Sequence, residues 1–335
     1  MSTLGKVIIV TGASRGIGLA IAQFLLQKQC RLVVVARSKE PLERLRAEHP
    51  DRVLTLSGDL ADFSIGARAA EIATSTWDRI DGLVVNHGVL EPVKKISDTD
   101  ADEWRTAFDI NVFSAVSLVK AALPALRTSN GRIVLVSSGA AVTSYPAWGA
   151  YGATKAAINH VAQTLANEEP DVTTVSIRPG VVDTDMQTNI RSTHHKNMDP
   201  KDAEKFLGLK SGGKLLKPEQ PGNVMARLVL DAPKNLSGQF LTYVVLSHPT
   251  LGPCQLTIPF PAGTIKPLRL FKSLDVAGNL GVQMHQCPDN LLHPRLRFMG
   301  WAECGREADG AGRSADIVRS PGMAPHSNLL LTNDV

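Results

Sequence analysis

The stretch that most constrains this chain is Thr11-Gly12-Ala13-Ser14-Arg15-Gly16-Ile17-Gly18. It sits between an apolar run of strand length, Lys6–Thr11, and a segment of helical periodicity, Gly16–Gln27. Glycines at a strand-to-helix turn permit a tight reversal and let backbone approach a ligand that a Cβ would hold off. The following helix offers free first-turn amides and the positive end of its dipole, a setting suited to a pyrophosphate. Gly12, Gly16 and Gly18 are the expected phosphate cradle, with Ser14, Arg15 and Ile17 contributing to the same cofactor site. A plain glycine-rich turn would need neither the strand before it nor the helix after it.

That turn belongs to a longer pattern. Apolar runs at Lys6–Thr11, Arg31–Ala36, Arg52–Leu56, Gly82–Asn86, Gly131–Ser137, Thr173–Arg178 and Gln239–Tyr243 alternate with helical stretches at Gly16–Gln27, Pro41–Glu48, Phe63–Thr74, Ala101–Leu126, Ala150–Asn167 and Pro218–Leu230. Val-, Ile- and Leu-rich strands separated by helices predict a Rossmann-like, doubly wound α/β fold: a parallel sheet of about seven strands covered by helices on both faces. This domain spans 1–243. Beyond it, nine of the 20 prolines and three of the four cysteines fall between Val244 and Val335, and periodicity is lost. Residues 244–335 therefore read as a poorly ordered extension rather than a second folded domain.

Composition excludes several functions. Lys and Arg exceed Asp and Glu by four, 36 against 32, and no block of like charge occurs, so neither nucleic acid nor a membrane surface is an expected partner. The four cysteines form no C-x-x-C pair and no secreted scaffold. No signal peptide precedes the first strand and nowhere do eighteen apolar residues run together, so a cytoplasmic location is expected.

Dinucleotide folds hold the adenosine ribose at the end of the second strand, where NAD enzymes place a carboxylate against the 2′-hydroxyl. Here that strand ends Val35-Ala36-Arg37-Ser38. Arg37, with Arg15 from the glycine loop, can grip a 2′-phosphate by charge-assisted bonds, which points to NADP(H); either arginine can instead be an ordinary solvated group. Further along, Tyr151-Gly152-Ala153-Thr154-Lys155 opens a helix, which puts Tyr151 and Lys155 on one face with Cβ atoms roughly 6 Å apart. A tyrosine, with an ordinary pKa of about 10, needs acidification to exchange protons near neutrality, and the Lys155 ammonium is expected to supply the charge. Ser138 follows the strand ending at Ser137, at the carboxyl edge where ligands of open α/β sheets bind, and its hydroxyl is placed to hold a carbonyl. Alternation along the strand sends Ser137 the other way.

These marks, with Asn86-His87-Gly88, Asn111 and Pro179-Gly180-Val181-Val182-Asp183-Thr184, resemble in order and spacing the classical short-chain dehydrogenase/reductase family over about residues 5–243. The chain is most similar to fungal reductases close to benzil reductase and sepiapterin reductase. The resemblance implies that Tyr151 is the general acid, that Ser138 orients the carbonyl, that Lys155 holds the nicotinamide ribose, and that Asn111 positions a water linking Lys155 to solvent. It implies that Asp59 and Leu60 meet the adenine, and that Asn86, Gly88, Pro179, Gly180, Val182 and Thr184 contact the cofactor. It also implies a homodimer or homotetramer. One departure is His87, where the family usually has alanine.

The activity so implied is NADPH-dependent reduction of a small-molecule ketone or aldehyde, with an aromatic or vicinal dicarbonyl as substrate. Tyr145 and Trp148, and a lid at Asp185 to Lys217, are the expected determinants of substrate choice. His194 and His195 lack ligands at metal spacing, and no metal is expected. The rival readings are an NADP-dependent alcohol dehydrogenase and a non-catalytic NADPH-sensing regulator; retention of Asn111, Ser138, Tyr151 and Lys155 argues against the second.

Overall fold

The computed structural model describes residues 4–243, together with Ser273–Leu274 and Leu280–Gly281. The chain falls into two units, Met1–Gly263 and Thr264–Val335; in the second, Ser273–Leu274 and Leu280–Gly281 pair antiparallel. The rest of the expected poorly ordered extension, 244–335, lies outside the described residues.

In the first unit, β1 (Val7–Thr11), β2 (Arg31–Ala36), β3 (Val53–Ser57), β4 (Gly82–Val85), β5 (Arg132–Val136), β6 (Thr173–Arg178) and β7 (Phe240–Thr242) form one sheet. Its order is β3-β2-β1-β4-β5-β6-β7, and every neighbouring pair is parallel. The helices between them are α1 (Gly16–Gln27), α2 (Lys39–Glu48), α3 (Ser64–Trp77), α4 (Ala101–Phe108), α5 (Ser114–Ser129), α6 (Gly149–Glu168), α7 (Asp185–Ser192), α8 (Pro200–Ser211) and α9 (Glu219–Asp231).

Two-residue alternation gives each strand two apolar faces. Ile8, Val10, Leu32 and Val34 pack with Ile21 and Leu25 of α1 and Met225 of α9. Val7, Ile9, Val33 and Val35 point the other way, into a cluster that includes Ile65, Leu118 and Ile158 from α3, α5 and α6. Burying each such side chain contributes roughly 1.5–3 kcal/mol, so two complete layers fix the sheet between its helices. The run Ala101–Ser129 is long and apolar enough to cross a membrane by composition, but Leu118, Ala122 and Leu126 are spent on this core.

One expectation needs correction. The helix expected over Ala101–Leu126 is interrupted by a π-turn at Asp109–Phe113. Its cause lies in Asn111, whose side chain turns inward and bonds both backbone groups of Val89, receiving its N–H at 2.8 Å and donating to its carbonyl at 2.9 Å. Widened turns of this kind concentrate at functional sites. The segment from Asp185 to Lys217, expected as a lid, contains α7 and α8. The start of α8 is specified locally: Asp199 accepts from Lys201 N–H at 3.0 Å and Pro200 occupies the first turn, where its missing donor costs nothing.

Candidate active site

In a parallel sheet whose order reverses, the two crossovers leave opposite faces and open a crevice beyond the carboxyl ends of the strands. Here the reversal lies between β1 and β4, and a cleft of about 420 Å³ opens there. The glycine loop forms one wall, the ends of β2 and β3 another, and Tyr151, Lys155 and Thr184 face them.

The loop is built to be approached. Gly12 and Gly16 have φ of +64° and +54°, which side chains disfavour, and a Cβ on Gly18 would lie 2.1 Å from the Gly12 carbonyl oxygen. Asn86 pins the turn, its Nδ2 donating to the carbonyls of Thr11 at 3.2 Å and Gly12 at 3.3 Å. No side chain caps the start of α1, so its first-turn amides remain available for an anion. Gly12, Ser14, Arg15, Gly16, Ile17, Arg37, Asp59, Leu60, Asn86, Gly88, Lys155, Pro179 and Thr184 all line the cleft, and Gly18 is buried beneath it. Gly180 and Val182 do not reach the wall. Gly180, at φ +82°, packs toward Leu216, and Val182 bridges to Leu216, so both shape the turn that delivers Thr184.

At the adenosine end, Arg37 is exposed on the cleft wall beside Ser38, and β2 ends without a carboxylate. Asp59 accepts from Ala61 N–H at 3.0 Å, which fixes the turn carrying Leu60. Arg15 is not free: its guanidinium meets the carboxylate of Asp185, at the start of α7, at 2.8 Å, with both side chains more than half exposed. Asp185 follows the recognised Thr184 directly; only the fold shows that it reaches back to the glycine loop.

At the other end, Tyr151 is buried in the first turn of α6, with the Ser138 side chain near enough to favour its phenolate. Ser138 accepts from Ala140 N–H at 3.1 Å, which sets its side chain. Ser137 lines the cleft, contrary to the expectation from alternation, and its hydroxyl donates to the Lys155 backbone carbonyl at 3.3 Å. Lys155 is 5% exposed; its Nζ donates to the Val136 carbonyl at 2.9 Å and lies 5.8 Å from the centre of the Tyr151 ring. Asn111 donates to Thr154 Oγ1 at 3.1 Å as well as holding Val89, so α6, the π-turn and the strand end after β4 meet at one point.

The electrostatics correct a further expectation. Burial pushes the Tyr151 hydroxyl above the ordinary tyrosine value, only partly offset by the Ser138 bond, so the phenol keeps its proton in this state. Burial also brings Lys155 down to about 8. Desolvation of the phenolate decides the direction, and the group that opposes it is Ser138 rather than Lys155.

Tyr145 and Trp148 were expected to face substrate. Trp148 is buried instead, stacked on Phe206 of α8 at 5.1 Å and meeting Tyr145 at 5.1 Å and Tyr151 edge-on at 6.0 Å. The cluster anchors α8 to the start of α6. His194 pairs with Glu91 at 3.1 Å, tying the turn after α7 to the loop beyond β4. Among the described residues no three side chains gather that could hold a metal ion.

Residues 6–195 match the family model described as short chain dehydrogenase. An uncharacterised oxidoreductase of Saccharomyces cerevisiae is 44% identical over 244 residues, 72% of this chain and 96% of its own. The crystal structure of that protein superposes with a TM-score of 0.71, covering 74% of this chain and 98% of that one. The (S)-benzoin-forming benzil reductase of the same yeast is 43% identical over 265 residues, 75% of this chain and 100% of its own. An NAD+-bound xylitol dehydrogenase is 26% identical, with a TM-score of 0.65, covering 72% of this chain and 98% of that one.

Proposed function

The chain belongs to the short-chain dehydrogenase family, and from that premise we propose that it is an NADPH-dependent carbonyl reductase in which Tyr151 is the proton donor. The observation that carries the reading is one cleft holding both a glycine cradle that Cβ atoms would fill and, opposite it, buried Tyr151 and Lys155, with half-buried Ser138 beside the tyrosine. The cradle, the uncapped start of α1 and the arginine at the end of β2 fit a phosphorylated dinucleotide. Bound there, a reduced nicotinamide supplies the hydride for the carbonyl carbon.

The residues of the chain do the rest. Tyr151, protonated because it is buried, donates its proton to the carbonyl oxygen, and Ser138 donates a second hydrogen bond to the same oxygen. The phenolate left behind is stabilised by the Lys155 ammonium, which burial concentrates rather than screens. Asn111 keeps the π-turn locked to Val89, and the resemblance assigns it the water that joins Lys155 to solvent.

NADP(H) over NAD(H) is supported by Arg37 and by the missing carboxylate at the end of β2. The substrate class, aromatic or vicinal dicarbonyls, is supported by the benzil reductase relative. Phe113, at the end of the π-turn, and Val116 on α5 are exposed and suit a homodimer or homotetramer through that helix.

The test mixes purified protein with benzil, other aromatic diketones and simple aldehydes, and follows consumption of NADPH and of NADH. The account expects faster turnover with NADPH on at least one diketone and its loss in Tyr151→Phe. Binding of NADPH without turnover of any carbonyl would replace the reductase with a sensor.

A further inference from the structure

His87 occupies a position that the proposed reaction does not use, and its surroundings are unusually complete. Its Nδ1 lies 2.8 Å from Thr11 Oγ1 and its Nε2 2.8 Å from Ser114 Oγ. Thr11 Oγ1 already receives the N–H groups of Asn86 at 3.0 Å and His87 at 3.4 Å, so both its lone pairs are taken and its own proton must go outward. The imidazole nitrogen is the nearer acceptor, since the Val84 carbonyl stands at 3.2 Å. On the other side, Ser114 donates to the Ile110 carbonyl at 2.6 Å and is left to accept from His87. One tautomer satisfies every partner: Thr11 O–H to Nδ1, Nε2–H to Ser114, and Ser114 O–H to Ile110. The ring is held neutral, its pKa lowered to about 3 by burial and then by the charge of Lys155, against a hydrogen bond to the Ile110 backbone and the charge of Asp59.

This chain of bonds runs between two parts of the site. Thr11 ends β1 and opens the glycine loop; Ile110 and Ser114 bracket Asn111 across the π-turn. Two residues after His87, Val89 is gripped by Asn111. Between them, Gly88 packs so closely that a Cβ there would lie 3.1 Å from Asn111 Oδ1 and 3.3 Å from Lys155 Nζ. Segment 87–89 is thus a floor stitched to the π-turn at both ends, and His87 is the residue that also ties it to the cradle.

Resting on the reductase reading above, we propose that His87 is a positioning residue, which holds Asn111 and Lys155 in register with the glycine loop through the Thr11–His87–Ser114 bridge. It neither donates nor accepts a proton in the reaction.

The test uses His87→Asn, whose amide can reach Thr11 but not Ser114, together with Ser114→Ala, which cuts the same bridge from the far side, and the double variant. With NADPH and benzil, each single change is expected to lower kcat roughly 10- to 100-fold, the scale of a small misplacement of catalytic groups. The dissociation constant of NADPH, read by fluorescence, should move by no more than about twofold, because the cradle stays intact. The double variant should be no slower than the slower single one. Hydrogen exchange at the Val89 amide should quicken in all three. A lowered melting temperature with kcat unchanged would make His87 a packing residue and overturn the proposal, as would additive losses or losses that track NADPH affinity. If the protein reduces no carbonyl, the reductase reading fails separately; Val89 exchange still tests the bridge, and unchanged exchange overturns it.

Discussion

Replacing Lys155 with methionine should make the protein more stable near neutrality while abolishing turnover. The side chain is 5% exposed, and burial brings its pKa from 10.5 to about 8. A depression of this kind is the cost of keeping the ammonium charged out of water, about 3 kcal/mol at roughly 1.4 kcal/mol per unit. Methionine preserves the unbranched apolar stem and removes that cost, along with the Nζ bond to the Val136 carbonyl, which is worth about 1–2 kcal/mol. A net gain of about 1–2 kcal/mol at pH 7 follows. The pH dependence isolates the charge. Below about 8 the lysine is protonated both folded and unfolded and the cost is constant; above it the folded protein sheds the proton first, so wild-type stability rises with pH. The advantage of the variant should therefore shrink by about 2 kcal/mol between pH 7 and about pH 9.5. Urea unfolding at the two pH values measures the difference directly. A gap that is constant or widens with pH would refute the claim that a desolvated ammonium sits at this site at the expense of stability.

Arg37→Ala should weaken NADPH binding about 10- to 100-fold, the worth of charge-assisted bonds to a 2′-phosphate, and leave NADH binding unchanged in a fluorescence titration. Asp185→Asn should release Arg15 from its ion pair and tighten NADPH about two- to fivefold at low salt, as expected for an exposed pair. Gly18→Ala should destabilise the fold by about 1–3 kcal/mol or more and abolish dinucleotide binding, read by thermal unfolding with and without NADPH, because the new methyl would press on the Gly12 carbonyl.

Much of this architecture was legible because it rests on local rules. The unbroken apolar runs Val7–Val10 and Leu32–Val35, with a glycine turn after the first strand, leave few alternatives to a doubly covered parallel sheet. Tyr151 and Lys155 were found by helical spacing and Ser138 by its place at a strand end. What escaped depends on contacts far apart in sequence. The π-turn exists because Asn111 bonds Val89, 22 residues earlier, and no periodicity announces it. Trp148 looked like a substrate-facing aromatic but is claimed by Phe206. Arg15 looked available until the fold brought Asp185 to it. The sign of the Tyr151 shift also needed the structure, because it is decided by burial, which spacing does not show. The helices α7 and α8 were not read from the sequence, because their polar faces hid the period.

The most direct measurement of the central claim is the fate of deuterium from NADPH labelled at nicotinamide C4 during turnover of benzil. The account predicts benzoin carrying one deuterium at its carbinol carbon, with no product formed by Tyr151→Phe. Benzil consumed without label at that carbon, or equal turnover by the variant, would contradict it.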